Sequence, residues 1–256
     1  MSLPPAPQTA LLVASAFLAG AVNAMAGGGT LLTFPALLFG GFASNVANAT
    51  STVALFPGQL SSLLGLREHL GDIRRLLAPL IGIGLVGGLV GAWMLTLTPA
   101  RVFDRVVPFL ILTATLLFLA QEPLARRRAA EAPREVRVTA GVGAFLLLVA
   151  LYGGYFGAGI GILTLAALGM LGLRDIHRMN ALKAVFTLGA NGVAAGLFLA
   201  RGMVDVPVAL TMVLGALAGG YAGARFGKRI GARNVRKVVV VIGFALAAYQ
   251  CVKAFA

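Results

Sequence analysis

Acidic side chains are scarce: 256 residues hold eight Asp and Glu against 21 Lys and Arg, and all eight lie in or beside loops. No buried carboxylate pair is therefore at hand for a proton relay, for acid–base catalysis or for gripping a metal. Cysteine is nearly absent as well. Cys251 alone cannot form an intrachain disulfide, and the two histidines, His69 and His177, join no cluster with metal-ligand spacing. Neither a metal nor a cofactor is expected. Ser51 and His69 could be cast as nucleophile and base, but no third group stands at a spacing that would orient them, so an enzyme is not expected.

Apolar residues are abundant. They make up 59% of the chain against 11% charged, with a mean hydropathy of +0.93, more than a domain that must solvate its whole surface can carry. The apolar stretches recur from end to end and are continuous rather than alternating, which predicts helices and not a barrel. The net charge of +13 would suggest nucleic acid in a soluble protein. Here the basic residues sit in short loops between apolar runs and read as a topology signal, with membrane lipids and not nucleic acid as partner. Ala24-Met25-Ala26 mimics a signal-peptidase site, but no basic residue precedes it and apolar sequence follows, so cleavage is not expected.

Sliding the sequence over itself gives a register of 132 residues that holds without a gap from Gly27–Val107 onto Gly159–Val239. Gly27 and Gly29 fall on Gly159 and Gly161, Asn48-Ala49 on Asn180-Ala181, and Gly87-Gly88 with Gly91-Ala92 on Gly219-Gly220 with Gly223-Ala224. The expected organisation is one membrane transport domain over 1–256: a first repeat at about 10–120, a basic cytoplasmic linker at 121–137, and a second repeat at about 138–256. Each repeat has about five apolar segments: 10–26, 30–42, 46–66, 76–95 and 103–120, then 138–156, 160–173, 179–199, 207–226 and 235–255. The second of each set is the shortest. At about 1.5 Å per residue, 30–42 covers about 20 Å of a hydrocarbon core about 30 Å thick.

Joining the first two segments of each half into one crossing gives eight spans and splits the loop Lys and Arg evenly between the two sides, against the positive-inside rule. A hairpin or two full crossings instead puts sixteen on one side: Arg67, Arg74, Arg75, five Arg within 126–137, Arg174, Arg178 and six bases from Arg225 to Lys237. Only Arg101, Arg105, Arg201 and Lys253 remain opposite. Each half then makes an odd number of reversals and the halves insert in opposite orientation. The fold class expected is all-α: a polytopic helical membrane protein of two inverted repeats with short broken or hairpin segments, a transporter signature.

Two glycine-rich breaks separate the first two segments of each half: Asn23 to Thr30 through Gly27, Gly28 and Gly29, and Tyr155 to Gly161 through Gly157 and Gly159. Broken backbone at membrane depth must be buried in protein or line a cavity, and the N-terminus of the following half-helix favours an anion. The third segment of each half bears a polar stripe at helical spacing, Asn48, Thr52 and Gln59 in one and Asn180, Lys183, Thr187 and Asn191 in the other. Lys183 is the one ionisable group well inside an apolar segment, placed to meet an anion or to snorkel toward the basic face. Taken singly, any of the Asn or Thr could instead bond to a neighbouring helix. The Gly84, Gly87, Gly88, Gly91 and Gly215, Gly219, Gly220, Gly223 ridges are expected to let helices pack closely.

The stretch Gly20-Ala-Val-Asn23-Ala-Met-Ala-Gly27-Gly28-Gly29-Thr30-Leu-Leu-Thr33-Phe34-Pro35 followed by Asn48-Ala49-Thr50-Ser51 resembles the first motif of the TauE/SafE sulfite exporter family, also called the toluene sulfonate uptake permease family. Tyr152-Gly-Gly-Tyr-Phe-Gly157-Ala-Gly159 and Met179-Asn180-Ala181-Leu182-Lys183 extend the likeness over about 10–255. The resemblance implies transport of a small sulfur-containing anion, such as sulfite, sulfoacetate or another organosulfonate, in the bacterial cytoplasmic membrane, export by alternating access being the expected mode. It also implies about eight spans, which departs from the charge-based count. The expected substrate-binding set is Asn23, Gly27, Gly28, Gly29, Thr30, Asn48, Thr52, Gln59, Tyr152, Gly157, Gly159, Gly161, Asn180, Lys183, Thr187 and Asn191. A carboxylate carrier and a scaffold without flux stay open as alternatives, as does pairing into a homodimer.

Overall fold

The computed structural model describes residues 4–25, 27–129, 138–173, 175–226 and 232–255. Ten α-helices are present among them: α1 (Ala6–Met25), α2 (Thr30–Phe39), α3 (Ser44–Leu66), α4 (Leu77–Leu97), α5 (Ala100–Ala129), α6 (Ala140–Tyr155), α7 (Ile160–Met170), α8 (Ile176–Ala200), α9 (Val206–Phe226) and α10 (Ala232–Phe255). The described residues include no strand. Each expected apolar segment corresponds to one helix. Two connections differ from the loops expected: Arg67–Leu76 winds as a 3₁₀ helix, and α5 runs on through 121–129 into the segment read as linker. The remainder of that linker, 130–137, lies outside the described residues, as do Ala26, Arg174 and 227–231.

α1, α8, α9, the stretch Ile73–Leu97 and the stretch Ala100–Ala120 are long and apolar enough to cross a membrane. α3 has the length but not the apolarity, because its polar side chains are turned inward: Asn48, Thr50, Ser51, Thr52, Gln59, Ser61 and Ser62 are all buried. The outer surface is the reverse, with Leu89, Trp93, Leu97, Phe109, Leu116, Leu210 and Leu214 exposed, as a hydrocarbon solvent requires.

The helix contacts come in pairs that swap when the halves are exchanged. α1 packs on α9 as α6 packs on α4, α3 on α9 as α8 on α4, α2 on α10 as α7 on α5, and α3 meets α8 while α5 meets α10 at the centre. Glycine makes these crossings possible. A Cβ on Gly91 would lie 2.0 Å from the Leu151 carbonyl oxygen, and one on Gly219 would lie 1.9 Å from that of Phe17. Small residues let helices approach in lipid, where dispersion and not water exclusion drives association.

α1 and α2 do not run on as one crossing. The start of α2 lies against Ala19, where a Cβ on Gly29 would stand 2.3 Å from the carbonyl oxygen; its end lies against Gln8, whose Nε2 would be 2.7 Å from a Cβ on Gly40. α2 therefore folds back antiparallel along α1 as a helical hairpin, with Met25 and Gly27–Gly29 at its tip.

Candidate functional site

Both helix breaks are made by left-handed backbone. Gly27 and Gly28 have φ of 84° and 88°, and Gly157 and Gly159 have 77° and 86°; for a residue with a Cβ such angles cost about 1–2 kcal/mol each. The two breaks touch: a Cβ on Gly161 would come 2.8 Å from Gly27 Cα. The first is fastened locally, since Asn23 Oδ1 accepts the Gly29 N–H at 2.7 Å.

Where the tips meet between α3 and α8 there is a cavity of about 20 Å³, lined among others by Asn23, Gly27, Thr30, Gln59, Ser62, Gly157, Gly161, Lys183, Thr187 and Asn191. The cavity is tight, with room for about one water. No carboxylate lines it among the described residues. Gln59 and Asn191, equivalent in the repeat register, are 8% and 5% exposed, and Gln59 Oε1 and Asn191 Oδ1 have no hydrogen-bond partner among the described residues. Buried amides without partners are uncommon enough to need a reason. Ser62 Oγ donates to Gly58 O and Thr187 Oγ1 to Ala184 O within their own helices.

Lys183, 3% exposed, does not snorkel. Its Nζ donates to Asn23 O at 2.7 Å, to Ala24 O at 3.2 Å and to Asn180 Oδ1 at 2.8 Å, so the ammonium bridges α8 to the last turn of α1.

Nine of the residues expected to bind substrate thus share one cavity wall: Asn23, Gly27, Thr30, Gln59, Gly157, Gly161, Lys183, Thr187 and Asn191. The others stand apart. The Gly29 N–H is spent on Asn23. Gly28 faces the Phe118 ring and Gly159 faces Ala114. Asn48 Nδ2 donates to Tyr155 O at 3.0 Å while its Oδ1 is buried without a partner, and Thr52 Oγ1 donates back to Asn48 O. Asn180 holds Lys183. Tyr152 donates through Oη to Leu110 O at 3.3 Å and its ring packs on Phe156, which removes it from the cavity. Ser62, Ala24, Ile160 and Ala184 line the cavity without having been singled out; Ser62 follows Gln59 at i+3, so the stripe itself could have shown it.

The two sides of the cavity differ. Toward the basic end, Ala24 also lines a wide vestibule with Asn180, Arg67, His69, His177 and Arg225, where the His69 and His177 rings stack at 4.9 Å. Toward the other end, Phe156 is fully buried, with Phe34 at 5.5 Å and Phe103 at 6.3 Å between ring centroids, and Tyr155 Oη bonds to Thr98 Oγ1. In the repeat register Tyr155 and Phe156 correspond to Asn23 and Ala24. Aromatic rings thus fill one side at the positions that Asn23 and Ala24 hold on the other.

The sequence profile described as Sulfite exporter TauE/SafE matches residues 12–250. A probable membrane transporter protein of Sinorhizobium sp. is 30% identical, covering 93% of this chain and 90% of its own length. A probable membrane transporter protein of Haemophilus influenzae is likewise 30% identical, over 93% and 92%. One of Escherichia coli is 28% identical over 91% and 86%. No solved structure matches the chain.

Proposed function

Because the chain belongs to the TauE/SafE sulfite exporter family, and is thus a multi-pass membrane transporter, we propose that its cargo is a small sulfur-containing anion, sulfite or an organosulfonate such as sulfoacetate, bound between α3 and α8. One observation carries this reading: among the described residues the lining of the central cavity has an ammonium, two amides equivalent in the repeat register whose oxygens have no partner, and no carboxylate. The amide nitrogens of Gln59 and Asn191 and the Thr30 hydroxyl supply donors to the oxygens of the anion, and Lys183 supplies charge. Hydrogen bonds to a charged group are worth about 1.5–3 kcal/mol each, enough for a few donors to select an anion in a dry site. The cavity has room for about one water, so admitting a sulfonate requires the tips and side chains to move apart.

The charge split supports a cytoplasmic basic end in a bacterial inner membrane. The α1–α2 hairpin leaves three single crossings in the first half, which supports opposite insertion of the two halves and alternating access by rocking one against the other. A vestibule open to the basic end loads cargo from the cytoplasm, which favours export. The test is uptake of labelled sulfite and sulfoacetate into liposomes holding the purified protein, with taurine and lactate as competitors. Saturable flux inhibited by sulfonates alone is expected. Equal inhibition by lactate would make this a carboxylate carrier, and no flux of any anion would leave a membrane scaffold.

A further inference from the structure

The Lys183 ammonium has three N–H bonds and three acceptors, two of them carbonyl oxygens of the other half of the molecule. Asn23 and Ala24 lie in the last turn of α1, where carbonyls lack intrahelical partners and the helix dipole is negative. α1 stops there because Gly27 and Gly28 turn the chain into left-handed backbone. The cation of α8 thus ties down the tip of the first hairpin. The second hairpin is tied differently: its matching carbonyl, that of Tyr155, accepts a neutral bond from Asn48, and the position matching Lys183 is Ser51, whose hydroxyl bonds to Thr33 at 2.6 Å. One tip is tied by a charge, the other by a neutral amide. Ala24, at the charged tie, lines both the cavity and the vestibule, so the tie sits at the neck between them.

We propose that Lys183 is a latch that couples occupancy of the cavity to release of the first hairpin. This rests on reading the cavity as an anion site. An anion there competes with the Asn23 and Ala24 carbonyls for the ammonium, because it offers a full negative charge where each carbonyl offers only a partial one. As the ammonium turns to the anion, the carbonyls of α1 pass to vestibule water and the tip is freed from α8. Lys183 then acts on movement through the hairpin besides touching cargo, and only one of the two tips responds to charge.

The test is hydrogen–deuterium exchange over 22–31 in the purified full-length protein with and without sulfoacetate, beside a binding titration by thermal shift. In the wild type, saturating sulfoacetate is expected to speed exchange of this segment several-fold, while the Asn48-tied tip at 155–161 is unchanged. Lys183→Met is expected to exchange fast without ligand and to ignore it. Should that variant fail to fold, Lys183→Gln keeps neutral donors and is expected to exchange slowly with no response to ligand. Wild-type protein that binds sulfoacetate with unchanged or slower exchange at 22–31 overturns the latch alone, as does a variant that keeps the response. Wild-type protein that does not bind sulfoacetate overturns the anion site and the latch together.

Discussion

Gly161→Ala tests whether contact between the hairpin tips is needed for transport. The new Cβ would sit 2.8 Å from Gly27 Cα and 3.3 Å from Lys183 Cδ. The first neighbour is backbone and cannot swing aside, so the tips must part. Overpacking of this kind costs about 1–3 kcal/mol, offset by up to about 1 kcal/mol because alanine is the better helix former. A net loss of about 1–2 kcal/mol is expected. The control is Gly41→Ala, where φ is +83° and nothing lies within 4 Å of the added methyl. Its cost is backbone strain of about 1–2 kcal/mol, at a connection remote from the cavity. The two variants should therefore lose similar thermal stability in detergent, a few degrees each. They should differ in liposome flux of labelled sulfoacetate: Gly41→Ala near wild type, Gly161→Ala lower by about tenfold or more, since 1.4 kcal/mol on the tip-to-tip state is a factor of ten. A Gly161→Ala protein that transports at the wild-type rate would refute the reasoning, as would a Gly41→Ala protein that loses flux.

Gln59→Leu and Asn191→Leu each delete a buried amide oxygen without a partner, so stability is expected to hold or rise while sulfoacetate binding weakens about ten- to a hundredfold; parallel loss of both in thermal-shift titrations would mark these amides as structural. Phe156→Ala empties a fully buried ring position, at about 3–5 kcal/mol by the scale of soluble cores. If the ring also bars the way from the cavity to the side away from the basic end, its loss should give a sulfoacetate leak from preloaded liposomes that does not saturate; an unchanged leak would show that Phe156 is no barrier. For topology, Ala43→Cys and Ile176→Cys in a Cys251→Ala background place single thiols just ahead of and at the start of matching helices. An impermeant thiol reagent added to intact cells should label the first and not the second, and labelling of both would exclude opposite insertion of the halves.

Much of this architecture is written locally. An apolar run needs only its own length and composition to become a helix in lipid, since every backbone group must be satisfied within the segment, and so the ten segments, the breaks at Gly27–Gly29 and Gly157–Gly161, and the repeat register can be read from the chain itself. The polar stripe on α3 and α8 is also local, set by helical spacing. That same stripe does not tell which member faces the cavity. Asn48 and Gln59 lie on one helix, yet Asn48 bonds to the Tyr155 carbonyl while Gln59 lines the cavity, because the crossing of α3 with α8 and α9 sets what each stands against. Tyr152 carries part of the family motif but turns to Leu110 on α5. The meeting of Lys183 with Asn23 and Ala24 joins residues some 160 positions apart, through helix approaches that glycines permit and no local pattern specifies. Composition and periodicity thus determined a helical membrane protein of two like halves with broken segments. Only the tertiary packing decided where the breaks meet, which amide oxygens are left without partners, where the aromatic rings cluster and what the buried cation holds, because each depends on distances between helices rather than on the order of residues along one.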